Sequence, residues 1–297
     1  MERSNLTGIG WMLVTGLLFV AVNGTVRHVG PSLPAVQGAF IRFAIGLVFL
    51  LPVLAPALRR GFAARLWPLF LGRGALHCLA VALWFFAMAR ITVAEVTAIG
   101  FLNPIVVTLG AALILGESLS VRRLLAIAVA LAGALIVLRP GLRGLEAGHL
   151  AQLGAALCFG SSYLMAKRLA AEVPAAVVVA MMSLTVAIGL AVPAALVWQA
   201  PTPGQIGWLT LTAIFATAGH YTMTRAFAAA PLMVTQPVVF LQLVWASLLG
   251  ALVFHEPVDP WVLVGGGLMI AAISYMTWRD ARRRRDLTPP VPAAKLP

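Results

Sequence analysis

Two histidines, His77 and His220, stand inside long apolar stretches of this chain. An imidazole at such depth is costly unless it meets a partner or a path. It can carry a proton near neutrality, or hydrogen-bond a neutral ligand. Other polar and aromatic side chains fall in the apolar stretches as well: Arg42, Trp84, Asn103, Tyr163, Tyr221, Gln242 and Trp245. Arg73 and His77 are four residues apart and Trp84 is seven beyond His77, so the three share a helix face. Amides, imidazoles and rings among aliphatic walls suit the binding of a small neutral or zwitterionic molecule. They do not suit bond breaking. The apolar stretches hold no paired carboxylates, no His/Cys set at metal-ligand spacing and no glycine-rich phosphate loop. Neither catalysis, nor a metal, nor a cofactor is therefore expected.

Each of these side chains also has a plainer reading. Ser161, Ser162 and Thr108 are expected to bond their own helix carbonyls. Trp11, Trp67, Trp198, Trp208, Trp261 and Trp278 lie near the ends of stretches, where tryptophan anchors a helix at the lipid headgroups. Arg73 lies about one turn into its stretch and is expected to reach back to the headgroups. None of the nine acidic residues falls at the middle of a stretch, and only Glu95 comes close to entering one. Ion-driven carriers place carboxylates in the membrane, so facilitated export or exchange is expected rather than tight ion coupling.

The elements that position these groups follow from composition. The chain is 61% hydrophobic and 10% charged, against roughly 25% charged in soluble domains, so lipid must form part of its solvent. The net charge of +12 sits in short loops and argues for no nucleic-acid partner. Ten stretches are long enough to span a bilayer: 7–26, 36–58, 66–89, 94–115, 121–138, 149–169, 175–198, 205–228, 233–254 and 260–278. The first is kept as a helix because no convincing cleavage site follows it. Fifteen Lys and Arg residues fall in the termini and alternate loops, against four on the other side. This places both termini in the cytoplasm. The basic tail, 279–297, is expected to be disordered, with Arg282 to Arg285 touching anionic lipid.

Residues 87–132 recur without gaps as 226–271, with ten of 46 positions identical. Phe101-Leu102-Asn103 matches Phe240-Leu241-Gln242, Thr108 matches Ser247 and Glu117 matches Glu256. Phe19 and Phe159, and Arg27 and Lys167, lie 140 apart. Five spans per copy is an odd number, so the second copy enters the membrane inverted. The expected fold is an all-α integral membrane protein, with ten transmembrane helices as two inverted five-helix repeats (1–144 and 145–278). Such repeats place a substrate site between them near the midplane. The fifth and tenth spans lack polar side chains over 124–138 and 262–273 and carry small residues. They read as scaffold, packing within a monomer or across a homodimer.

Ten spans, a duplicated unit, and a glutamate closing the fourth and ninth spans (Leu115-Gly116-Glu117 and Phe254-His255-Glu256) resemble the EamA-type branch of the drug/metabolite transporter superfamily. The resemblance implies a transporter of the cell inner membrane, most of all an amino-acid exporter, with hydrophobic drugs or other neutral metabolites as the alternative. Its partners would be a small-molecule substrate and the lipid bilayer. The two glutamates are expected to cap or pair near their turns. Pro104 has no counterpart at Leu243, where the second copy has Pro237 instead, so the two helices are expected to bend at different depths.

Overall fold

The computed structural model describes residues 2–103, 105–106, 109–110, 121–140, 144–169, 172–229, 238 and 241–287. Pro104, Thr108, Glu117, Pro237 and Phe240, and the side chain of Lys167, lie outside the described residues. The described residues form ten main helices: α1 (Glu2–Val29), α2 (Ala35–Arg60), α3 (Trp67–Met88), α4 (Val93–Gly100), α5 (Val121–Leu138), α6 (Ala147–Leu169), α7 (Ala175–Leu196), α8 (Pro203–Ala229), α9 (Leu241–Val253) and α10 (Pro260–Leu287). Four of them are long and apolar enough by themselves to cross a membrane.

Local chemistry sets several of the helix ends. α2 stops at Gly61, whose φ of 75° lets its amide reach the carbonyls of Ala57 and Leu58. α4 opens on a reciprocal cap: Thr92 accepts from the Glu95 amide while Glu95 accepts from the Thr92 amide. α4 closes at Gly100, and Phe101 and Leu102 form a turn bonded to the carbonyls of Ala98 and Ile99 at 3.0 Å. The continuous span expected over 94–115 is thus broken. The sequence gives a reason, since a proline at 104 has no N–H to offer the Gly100 carbonyl. α10 runs past Trp278 to Leu287. The start of the basic tail is therefore helical, where disorder was expected.

The helices pair across the two halves. α1 packs on α8, and α3 on α6; α2 packs on α7, α4 on α9 and α5 on α10. If α1–α5 are matched to α6–α10, the first pair maps onto the second and the other three map onto themselves. That is the pattern of a two-fold axis. Side chains follow it. A Cβ on Gly24 would stand 3.0 Å from Leu249, and one on Gly110 would stand 2.8 Å from Leu164. Gly24 and Leu164 are 140 apart and Gly110 and Leu249 are 139 apart, so each contact is the other with its halves exchanged.

The copies run in opposite directions. The end of α1 is bound at the start of α4, through Arg27 and the Ile91 carbonyl. The start of α6 meets the same place, through His149 and Glu95. α1 therefore ends at the face of the bundle where α6 begins; we call it the far face, and the opposite side, where α1 begins, the near face. Large apolar side chains such as Leu196, Leu252 and Val192 are exposed on the outside, as lipid-facing positions require. α5 and α10 approach closely enough that a Cβ on Gly133 would lie 2.6 Å from the Gly265 carbonyl oxygen. This is small-residue packing between membrane helices, and it is satisfied within one chain.

Candidate functional site

The centre of the bundle is built from two reciprocal ring pairs. His77 of α3 meets Phe159 of α6 edge-on, with ring centroids 5.0 Å apart. His220 of α8 meets Phe19 of α1 in the same manner at 5.3 Å. Each pair joins one repeat to the other. The two phenylalanines are the pair that lie 140 apart in sequence, so the site obeys the same two-fold as the helices.

Further groups attach to the His77 pair. Nδ1 of His77 lies 3.2 Å from the Ser162 hydroxyl. Phe43 stands edge-on to His77 at 5.9 Å, and the Arg42 guanidinium lies 4.1 Å from the Phe43 ring centre. Tyr163 stacks on Phe159 at 6.1 Å. Phe159, Ser162 and Tyr163 share the inner face of α6, opposite the exposed Leu150 and Leu157. Tyr163 is nonetheless 39% exposed. Part of the Tyr163 ring is therefore left uncovered by its neighbours. Arg42 and Arg73 each lie within electrostatic reach of His77, Tyr163 and His220.

Of the side chains expected to line a path, the structure brings together Arg42, His77, Tyr163 and His220. Asn103 sits against α6, its backbone oxygen 3.0 Å from where a Cβ on Gly160 would be, and its Oδ1 is buried without a hydrogen-bond partner. Gln242 sits against α1, beside Gly16. Trp84 and Trp245 are half-buried, and Trp84 packs edge-on against Phe85 rather than onto the histidine pairs. Tyr221 stands apart. It is 57% exposed and its hydroxyl accepts from Arg225, whose guanidinium also faces the Trp11 ring. That is a cluster at the near face, not a part of the centre. Arg73 differs from expectation too. It does not reach the headgroups but is 6% exposed, donating to the Val178 carbonyl at 3.1 Å and the Met182 sulfur at 3.3 Å. Ser161 bonds its own helix at Leu157, as expected, whereas Ser162 turns to His77.

The far face carries polar ties that composition did not reveal. Arg27 donates to the carbonyls of Met88 at 2.7 Å and Ile91 at 3.1 Å. Its second terminal nitrogen stands 2.8 Å from Oε1 of Glu256, an ion pair set out of line for a hydrogen bond. The other oxygen of Glu256 accepts from the Val93 amide at 3.0 Å. The expectation that this glutamate pairs near its turn holds at Glu256; Glu117 is outside the described residues. Glu95 is buried and meets Nε2 of His149 at 3.3 Å. His149 Nδ1 accepts from the Glu146 amide at 3.1 Å, so Nε2 carries the proton and donates to Glu95. Gln37 clamps the Gln199 backbone, donating to its carbonyl at 2.6 Å and accepting from its amide at 2.9 Å. Arg139 pairs with Asp259. The one signal for this network was the doubled spacing of Arg27 with Lys167 and Glu117 with Glu256.

Comparison with known proteins agrees with this architecture. A family model described as the EamA-like transporter family matches residues 6–139 and again 146–278, one match per repeat. The chain is 28% identical over 296 residues to a riboflavin transporter of Vibrio cholerae, covering 96% of this chain and 98% of that one. It is 26% identical over 276 residues to the pseudopaline exporter CntI of Pseudomonas aeruginosa, covering 90% and 94%. An S-adenosylmethionine uptake transporter of Rickettsia felis is 22% identical over 287 residues, with 94% and 95% covered. A solved crystal structure shares the fold with a TM-score of 0.59 at 20% identity, covering 96% of this chain and 99% of that one. With two inverted five-helix repeats and relatives that carry small molecules, the chain is a multi-pass membrane protein that belongs to the EamA-like transporter family.

Proposed function

We propose that this chain moves a small metabolite across the bacterial inner membrane, with its termini in the cytoplasm, by alternating access between the repeats. The observation that carries this reading is the pair of reciprocal Phe–His contacts, each shared by both halves, around the inward-facing Tyr163. Contacts of that kind can be exchanged when the repeats trade conformations. Arg42, His77, Tyr163 and His220 contact substrate in this reading, with Asn103 and Gln242 on the walls. The substrate is an amino acid with an apolar or aromatic side chain, and the net movement is export or exchange. The close contact of α5 with α10 inside one chain supports a functional monomer.

A second reading is riboflavin. It is favoured by the near full-length similarity to a riboflavin transporter and by a ring-lined centre that suits a flat heteroaromatic body. The test is flux of labelled phenylalanine, leucine and riboflavin in proteoliposomes, with and without an imposed pH gradient. Amino-acid flux that needs no gradient supports the first reading. Riboflavin flux alone replaces it with the second. Movement of neither by folded protein refutes both.

A further inference from the structure

Arg42 and Arg73 are two cations with no counter-charge among the described residues. Arg42 touches the face of Phe43 and makes no ion pair or hydrogen bond among the described residues. Arg73 is 6% exposed and bonds only a carbonyl and a thioether sulfur, and its Nε is buried without a partner. The carboxylates whose contacts are described are committed elsewhere: Glu256 to Arg27, Glu95 to His149, Glu172 to Arg65 and Asp259 to Arg139. His77 and His220 add no negative charge. A guanidinium cannot shed its proton in a protein, so Arg42 and Arg73 stay positively charged with no counter-charge among the described residues. Such an arrangement is strongly unfavourable unless the missing charge arrives with a ligand.

We infer that the central site takes a ligand bearing a carboxylate, bound between Arg42 and Arg73, with an apolar or aromatic body against Phe43, His77, Phe159 and Tyr163. This rests on reading the centre as the substrate path, and it narrows the expected neutral or zwitterionic molecule to one that bears a carboxylate. Arg73 has already spent two of its N–H groups and its Nε is enclosed, so it supplies mainly charge, while the fork of Arg42 makes no hydrogen bond among the described residues. That supply matches one planar carboxylate better than a phosphate, which calls for more converging donors. The walls are ring edges and faces, which accept a phenyl or larger body.

The test uses purified full-length protein in detergent, with 3-phenylpropionate and 3-phenylpropanamide as probes that differ only in charge, and riboflavin with flavin mononucleotide as a second matched set. Calorimetry should find 3-phenylpropionate bound and the amide at least about tenfold weaker, the usual effect of a charge-assisted contact. Arg42→Met should lose that preference, and Arg42→Lys should keep it in weaker form. Without ligand, Arg42→Met should melt at a higher temperature than the parent, because a half-buried cation with no counter-charge among the described residues is gone. Equal binding of acid and amide, undiminished acid binding by Arg42→Met, or a ligand-free melting point at or below the parent overturns the inference. Tighter binding of flavin mononucleotide than of riboflavin, with no preference for 3-phenylpropionate over its amide, overturns the carboxylate in favour of phosphate. If neither phenyl probe binds but Arg42→Met still melts higher, the charge inference stands and the substrate body proposed above is wrong.

Discussion

Replacing Glu256 by glutamine asks whether the far-face ion pair holds the repeats together. The side chains of Arg27 and Glu256 are 19% and 8% exposed and their closest atoms are 2.8 Å apart. Two unit charges about 4 Å apart attract by about 4 kcal/mol at an effective dielectric of about 20, and desolvation offsets part of this. In the variant Arg27 keeps the Met88 and Ile91 carbonyls, and glutamine keeps an acceptor for the Val93 amide. What disappears is the charge–charge part, for which we expect a coupling of about 2 kcal/mol. A double-mutant cycle of Arg27→Gln and Glu256→Gln, read by unfolding in mixed micelles, measures it. The control is Arg65 with Glu172, whose side chains are 74% and 39% exposed despite a 2.6 Å contact. Screening by solvent should hold that pair to about 0–1 kcal/mol. A coupling at Arg27–Glu256 no larger than the control would refute the reasoning.

Three further outcomes are expected. Gly133→Leu should force α5 from α10, because even its Cβ would meet the Gly265 carbonyl at 2.6 Å; a loss of about 1–3 kcal/mol in unfolding free energy would show it. Ser162→Ala should reduce stability by about 1 kcal/mol through the lost contact to His77 at 3.2 Å, and should weaken substrate affinity more than Ser161→Ala, whose hydroxyl serves only its own helix. Tyr221→Phe should leave substrate affinity unchanged in a binding titration, whereas Tyr163→Ala should lower it, since Tyr221 bonds Arg225 and Tyr163 borders the interior.

Helix number, the duplication and the inverted halves were all legible in the chain. α5 spans Val121–Leu138, as its apolar run does, and α2 and α3 differ from theirs by one or two residues. Apolar length is a local property, and lipid demands it wherever the backbone crosses. The repeat register even anticipated contacts, because the two-fold that exchanges Gly24–Leu249 with Gly110–Leu164 acts on sequence as well as on space. Four of the nine side chains picked for the path meet at the centre. Tyr221 lies apart from them because its neighbour His220 faces inward, and adjacent residues on a helix diverge by about 100°.

Partnership was what the tertiary structure alone decided. Arg73 reads as a headgroup anchor until α7 is packed over it, and Ser162 reads as a self-bonding hydroxyl until His77 arrives from α3. Glu256 and Gln37 acquire their roles only from distant chain, and Glu95 adds to its local cap on Thr92 a partner, His149, more than 50 residues away. Periodicity reports how costly a side chain is in lipid. It carries no record of which distant group relieves that cost, because the relief is made by packing.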